Sequence, residues 1–485
     1  MNNPIRRLSA VVALLFGSLL LSSTYISFVQ AASLKDEPGN RRTLLANYAR
    51  ERGPILVAGA PVARSVPSDD ELKFQRTYSD GPLFAHLTGY YSFVYGAGRG
   101  VESGEDSLLS GSSDQFFYRR MVDLVTGREQ QGASVELTID PAAQQAASDA
   151  LGDQRGAVVA LDPRTGAILA LVSKPTYDPN ELAGHDVRAV QRAYTSLVED
   201  EGDPLIDRAI AGDLYPPGST FKIVTAAAAL SSGRYTQDSE LPGPARLDLP
   251  QTTTTLPNDF SGACGPGDRV TLIRAMEISC NTAFGSLGLT LGGDAVREQA
   301  ARFGFGERLS VPMNVTPSTV PEGMNPPQSA QAAIGQYDVR VTPLQMAMVS
   351  AAVANKGVLM TPYAVKAVRS PDLDVIEETQ PQELSQAVSE DVAAQLTAMM
   401  RAVVEDGTGT RAQIAGVSVA GKTGTAQQGD DDPPHAWFTA FAPADDPQVA
   451  VAVVVEDGGT AGSEAAGGRV AAPIAKSVME AVLQR

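Results

Sequence analysis

Three short groupings of serine, lysine, asparagine and threonine could together carry acyl transfer. Ser219-Thr220-Phe221-Lys222 is the only S-x-x-K in the chain. Residues three apart share a helix face, so the Lys222 amine can approach the Ser219 hydroxyl. A lysine in a partly desolvated pocket sheds its proton near neutral pH and can act as base toward that serine. The preceding Tyr215-Pro216-Pro217-Gly218 predicts a loop that ends where a helix begins. Backbone N–H groups at such a start can stabilise an oxyanion. Alone, Ser219 could equally be an N-cap. Ser279-Cys280-Asn281 is the only S-x-N, on or beside an Ala- and Leu-containing helical stretch; alone it reads as a polar helix end. Lys422-Thr423-Gly424-Thr425 lies on an apparent strand beside Gly421. Glycine there lets a ligand backbone approach closely, and a lysine with two hydroxyls suits an anionic substrate terminus.

These residues need a scaffold that joins distant segments. Val135 to Ile139 alternates like a strand, and Pro141 to Leu151 reads as a helix with Asp140 at its N-cap. Gly156 to Leu161 and Ala167 to Val172 are apolar runs separated by Asp162-Pro163-Arg164-Thr165-Gly166, which predicts a hairpin. A second hairpin is expected from Trp437 to Ala442 and Val449 to Val455, just after the strand Gly421 to Thr425. Helices are expected at Ser219 to Leu230, Leu344 to Ala354, Val388 to Val404 and Ala472 to Leu483. Strands at both ends with helices between them predict an α+β domain with an antiparallel sheet flanked by helices. Between Arg52 and Ser134 the short apolar runs, rich in Gly, Ser and Tyr, predict a small module of strands and loops. A short helix is expected around Leu44 to Arg50, after a polar linker at Asp36 to Arg42.

In the order S-x-x-K, S-x-N and K-T-G, the three motifs match the signature of penicillin-binding proteins and serine β-lactamases. The chain resembles a class B penicillin-binding protein, of the short actinobacterial penicillin-binding protein A type. RGPILVAG, HLTGYYSFVYGAGRGVESGEDSLLSG, YPPGSTFKIV, AAIGQYDVRVTPLQMA, VVEDGTGTRA and AGKTGTAQ carry the likeness over most of the chain from Arg52 to about Gln428. The resemblance implies a D,D-transpeptidase that cross-links peptidoglycan stem peptides ending in D-Ala-D-Ala and is acylated by β-lactam antibiotics. Ser219 would attack the penultimate D-Ala carbonyl, with Lys222 accepting its proton. Ser279 would relay a proton to the leaving D-Ala, Asn281 would hold the substrate amide and help seat Lys222, and Lys422 would tune that relay. Thr423, Gly424 and Thr425 would bind substrate, the two threonines meeting its carboxylate. The backbone N–H groups of Ser219 and Thr425 would form the oxyanion hole. No cofactor is implied, because the serine ester itself keeps the acyl group activated. A D,D-carboxypeptidase differs only in using water as acceptor. A β-lactamase would need a deacylating base, and the anchor and N-terminal module speak against it.

Arg6 and Arg7 precede an uncharged, apolar run from Leu8 to Leu34. About 20 apolar residues suffice to span a bilayer, and flanking arginines favour the cytoplasmic side. The expected organisation is a cytoplasmic stub at 1–7, a signal anchor at 8–34, a non-catalytic pedestal module at 35–150 and the transpeptidase domain at 151–485. Val29-Gln30-Ala31 also resembles a cleavage site. The expected location is a single-pass cell membrane protein with its catalytic domain outside the cytoplasm, docking wall-synthesis or divisome proteins. A net charge of −18 speaks against nucleic acid as a partner. His86, His185 and His435 are scattered singly, so no metal is expected. Cys264 and Cys280 are the only cysteines, and in an exported protein they are expected to form a disulfide rather than two buried thiols. Arg99 and Glu102 read as structural, and Asp430 to Pro434 as a solvated turn.

Overall fold

The computed structural model describes residues 2–30, 48–116, 126–127, 130–372, 374–427, 433–464 and 466–484. The expected linker at 36–42, most of the helix expected at 44–50 and the turn at 430–432 lie outside these residues. An α-helix Asn2–Thr24 continues into a π-helical turn Tyr25–Val29. Its stretch Asn3–Ser27 is long and apolar enough to cross a membrane, and it is unburied.

One of the three motifs, Lys422-Thr423-Gly424, lies on the edge strand of a five-stranded antiparallel sheet. Its order is Ala420–Ala426, His435–Ala442, Val449–Val455, Gly156–Leu161 and Ile168–Lys174. Both expected hairpins are present, and pairing of Gly156–Leu161 with Val449–Val455 joins the two ends of the domain. Successive side chains leave opposite faces of a strand. Accordingly Ala157, Val159, Leu161, Trp437, Phe441, Ala450, Ala452 and Val454 enter one core. Val158, Ala160, Phe438, Val449, Val451 and Val453 enter the other. Both faces are covered, which is why these strands read as unbroken apolar runs. Helix Pro343–Ala354 packs on the first face, where Thr439 Oγ1 and Ser350 Oγ pair at 2.6 Å. Helices Pro141–Leu151 and Gly467–Leu483 cover the second. The Asp140 carboxylate caps the former by accepting Ala143 N–H at 2.7 Å. Each fully buried Val or Phe here contributes roughly 1.5–3 kcal/mol of burial before entropy is charged.

The second sheet has six strands, ordered Val375–Glu378, Val365–Arg369, Ser134–Leu137, Ile55–Val57, Ala60–Pro67 and Phe74–Tyr78. Ile55–Val57 runs parallel to Ser134–Leu137, and the remaining neighbours are antiparallel. Two of its strands therefore come from beyond the S-x-N motif, while helix Pro141–Leu151 belongs to the core of the other sheet. Chain order and spatial grouping part company at both places.

A charged cluster sits beneath this second sheet. Glu102 is fully buried and accepts from Arg52 Nε at 2.5 Å and Arg76 Nε at 2.6 Å. Tyr78 donates its hydroxyl to the same carboxylate at 3.1 Å. Arg52 also pairs with Asp106 and stacks its guanidinium 4.2 Å from the Tyr91 ring centre. Burial alone would raise the Glu102 carboxyl, yet the two guanidiniums hold it below its ordinary value. The side chain ties Arg52, Arg76 and Tyr78 together as structure.

Candidate active site

Ser219 lies in a 3-10 turn, Gly218–Phe221, and the α-helix proper runs from Lys222 to Ser231. The helix expected from Ser219 thus begins three residues later. Gly218 adopts φ +53°, and a β-carbon there would stand 2.6 Å from the Thr425 carbonyl oxygen. Only glycine meets both demands, so the turn can press Ser219 against the K-T-G strand. Gly424 answers from the other side. A β-carbon on it would come within 3.0 Å of Pro217 O, Thr220 Cγ2 and Trp437 Cβ. The space expected for ligand approach at Gly424 is thus shared with the nucleophile loop.

Ser279 and Asn281 sit at the junction of helices Leu272–Glu277 and Asn281–Leu291. Ser279 holds φ +60°, a left-handed conformation that costs a non-glycine residue about 1–3 kcal/mol. The reward is position. Its Oγ accepts from Lys222 Nζ at 3.1 Å and from Lys422 Nζ at 2.9 Å. Lys222 Nζ also donates to Ser279 O at 2.8 Å and Asn281 Oδ1 at 2.7 Å. Lys422 Nζ donates to Thr423 O at 3.0 Å. The structure therefore brings Ser219, Lys222, Ser279, Asn281, Lys422, Thr423, Gly424 and Thr425 to one cleft. Among the described residues Ser219 Oγ makes no hydrogen bond, and the Lys222 amine is directed at Ser279 and Asn281 instead.

Both lysines are fully buried, and desolvation dominates their titration. Burial pulls Lys222 from 10.5 down to about 7, against the opposing pull of the Asp259 carboxylate. Lys422 is pushed well below its ordinary value by burial first and by the Lys222 charge second. Two ammonium groups sharing one hydroxyl repel, so near neutral pH the trio holds at least one neutral amine.

Cys264 and Cys280 are joined in a disulfide, with Cα atoms 6.0 Å apart. Closing a loop of this length restricts the unfolded chain by about 3 kcal/mol. Cys280 Sγ also caps the helix that starts at Asn281, accepting Ala283 N–H at 3.3 Å. Thr282 donates its backbone N–H to Asn258 Oδ1 at 3.1 Å. The cross-link and Asn258 together pin the loop above Asn281.

Two cavities, of about 280 and 420 Å³, meet at Ser219. Asn281, Tyr337 and Gln427 line the first; Ser279, Thr423, Thr408 and Arg411 line the second; Thr425 and Asp259 line both. Thr423 and Thr408 hydroxyls pair at 2.6 Å. Asp259, Thr408 and Arg411 are not among the residues the sequence singles out for the site, although Thr408 and Arg411 lie within the stretch VVEDGTGTRA. The GTG run before Arg411 was the one available signal.

Residues 156–480 match the family described as penicillin binding protein transpeptidase domain, and residues 52–135 match the penicillin binding protein A dimerisation domain. The chain is 45% identical to the peptidoglycan D,D-transpeptidase PbpA of Mycolicibacterium smegmatis, covering 100% of this chain and 99% of that one. It is 43% identical to the Mycobacterium tuberculosis protein of the same name, again over 100% and 99%. The solved penicillin G acyl-enzyme of penicillin-binding protein A from M. tuberculosis superimposes with a TM-score of 0.85 at 43% identity, covering 90% of this chain and all of that one. Its imipenem acyl-enzyme gives 0.86 at 42% identity, over 91% and 100%. The chain belongs to the penicillin-binding protein transpeptidase family.

Proposed function

We propose that this protein is a peptidoglycan D,D-transpeptidase working through an acyl-enzyme on Ser219. The observation that carries the reading is the chain Lys222–Ser279–Lys422, in which two buried amines share one hydroxyl beside the cleft serine. Neutral Lys222 takes the proton as Ser219 Oγ bonds to the penultimate D-Ala carbonyl carbon. Hydrogen bonds to a nucleophile commonly shorten once substrate fills the site. Ser279 then passes a proton between the amines to the departing D-Ala nitrogen, and the peptide C–N bond breaks. Backbone N–H groups of Ser219 and Thr425 receive the developing oxyanion. The strand Ala420–Ala426 is the sheet edge, so an extended stem peptide can pair along it. Thr423 and Thr425 receive the terminal carboxylate, with Arg411 in the same cavity adding attraction. Covalent inhibition by β-lactams follows from the same geometry.

The apolar helix Asn2–Thr24 serves as the anchor, with Arg6 and Arg7 holding its start in the cytoplasm and the cleft outside. The module expected at 35–150, without the helix Pro141–Leu151 that packs on the other sheet and with the strands Val365–Arg369 and Val375–Glu378 that complete its own sheet, acts as a pedestal. It offers docking surface to wall-synthesis or divisome proteins. The test is exchange: purified protein, a thioester analogue of D-Ala-D-Ala and a D-amino acid acceptor should give the acyl-transfer product. Hydrolysis alone would make the protein a carboxypeptidase.

A further inference from the structure

Asp259 stands in the cleft without a place in the mechanism above. Asn281 Nδ2 donates to Asp259 Oδ1 at 2.9 Å and to Pro257 O at 3.3 Å. An ionised carboxylate and a carbonyl only accept, so the Asn281 amide cannot turn over. Its own oxygen is therefore held toward Lys222 Nζ, 2.7 Å away. Asp259 Oδ2, by contrast, accepts no hydrogen bond among the described residues, and the side chain is exposed. Asp259 is also the one carboxylate among the described residues lining either cavity that meets at Ser219, whereas Arg411 and Arg469 line the larger. The cleft thus has a cationic end at Arg411 and Arg469 and a single anionic point, Asp259, on the wall of both cavities that meet at Ser219.

We propose that Asp259 receives the acceptor: Oδ1 fixes Asn281, while Oδ2 pairs with the ammonium of the amine that attacks the Ser219 ester. The inference rests on the transpeptidase reading and names what delivers its second substrate. The ammonium docks on Asp259 and loses one proton to solvent. Its lone pair forms the new C–N bond to the acyl carbon. Its second proton passes to Lys222 and then to Ser219 Oγ as the C–O ester bond breaks. A cationic acceptor plus acyl-enzyme therefore gives amide, free serine and one released proton.

The test measures the ratio of acyl transfer to hydrolysis with two acceptors, D-alanine and hydroxylamine. The first presents an ammonium near neutral pH, and the second is uncharged. Asp259→Asn still offers Asn281 an acceptor oxygen, so the amide stays seated. It should lower the transfer ratio with D-alanine about fivefold or more and leave the hydroxylamine ratio unchanged. Asp259→Glu should recover part of the D-alanine ratio. A wild-type D-alanine ratio in Asp259→Asn, or equal losses with both acceptors, overturns the assignment. If the wild-type protein forms no acyl-enzyme from the thioester, the transpeptidase reading itself fails.

Discussion

Lys222→Met lowers the rate of acylation by a β-lactam by about 10²–10⁴-fold, the usual worth of a positioned general base. Methionine keeps most of the side-chain volume in a site that is fully buried, so the fold is expected to persist. The wild-type pH profile carries the same information. Lys222 titrates at about 7, and only its neutral form can take the Ser219 proton. Acylation therefore rises with pH through about 7, and Lys222→Met loses that limb. The linkage sign agrees: the unfolded lysine holds its proton up to about 10.5, while the folded one has released it by about 7. Over that window the unfolded state binds more protons, so this group makes folding more favourable as pH rises from about 7 to about 10.5 and less favourable as pH falls back across it, the loss being complete by about 7. Stopped-flow acylation with a chromogenic cephalosporin across pH checks the rate. A variant with the wild-type profile would remove Lys222 from the role of base.

Glu102→Gln should be the most damaging single change outside the cleft. The carboxylate is fully buried between Arg52 and Arg76, and Tyr78 relies on it too. Removing its charge leaves two guanidiniums without their shared counter-ion. Breaking a buried pair in this way costs roughly 3–5 kcal/mol. Urea denaturation should show a lowered midpoint for the variant, accompanied by earlier exposure of the sheet that contains Ile55–Val57. An unchanged midpoint would mean that solvent reaches the cluster and screens it.

Much of the catalytic sheet was legible because its signals are local. The hairpin at Asp162 to Gly166 carries a proline and a glycine between two apolar runs, and the four paired runs are continuous because both faces are buried. The three motifs were legible by residue type and order. What escaped depends on non-local geometry. Nothing in Val365–Arg369 says that it will pair with Ser134–Leu137, far away in the chain. Glu102 reads as structural in the sequence, but its partners Arg52 and Arg76 come to it only through folding. The 3-10 turn at Gly218 follows from crowding against Thr425, which only the assembled sheet supplies. The left-handed Ser279 likewise needs both lysines around it before its conformation makes sense. Asp259 has no motif, and its place over Asn281 comes from the Cys264–Cys280 cross-link and Asn258 holding the loop down.

The central claim is that Ser219 is the acylated residue. Incubating the wild-type protein with penicillin G, digesting it and sequencing the peptides by mass spectrometry tests that claim directly. The penicilloyl adduct should fall on Ser219 in Tyr215-Pro216-Pro217-Gly218-Ser219, and Ser219→Ala should carry no adduct. An adduct on any other serine, or equal labelling of Ser219→Ala, would contradict the account.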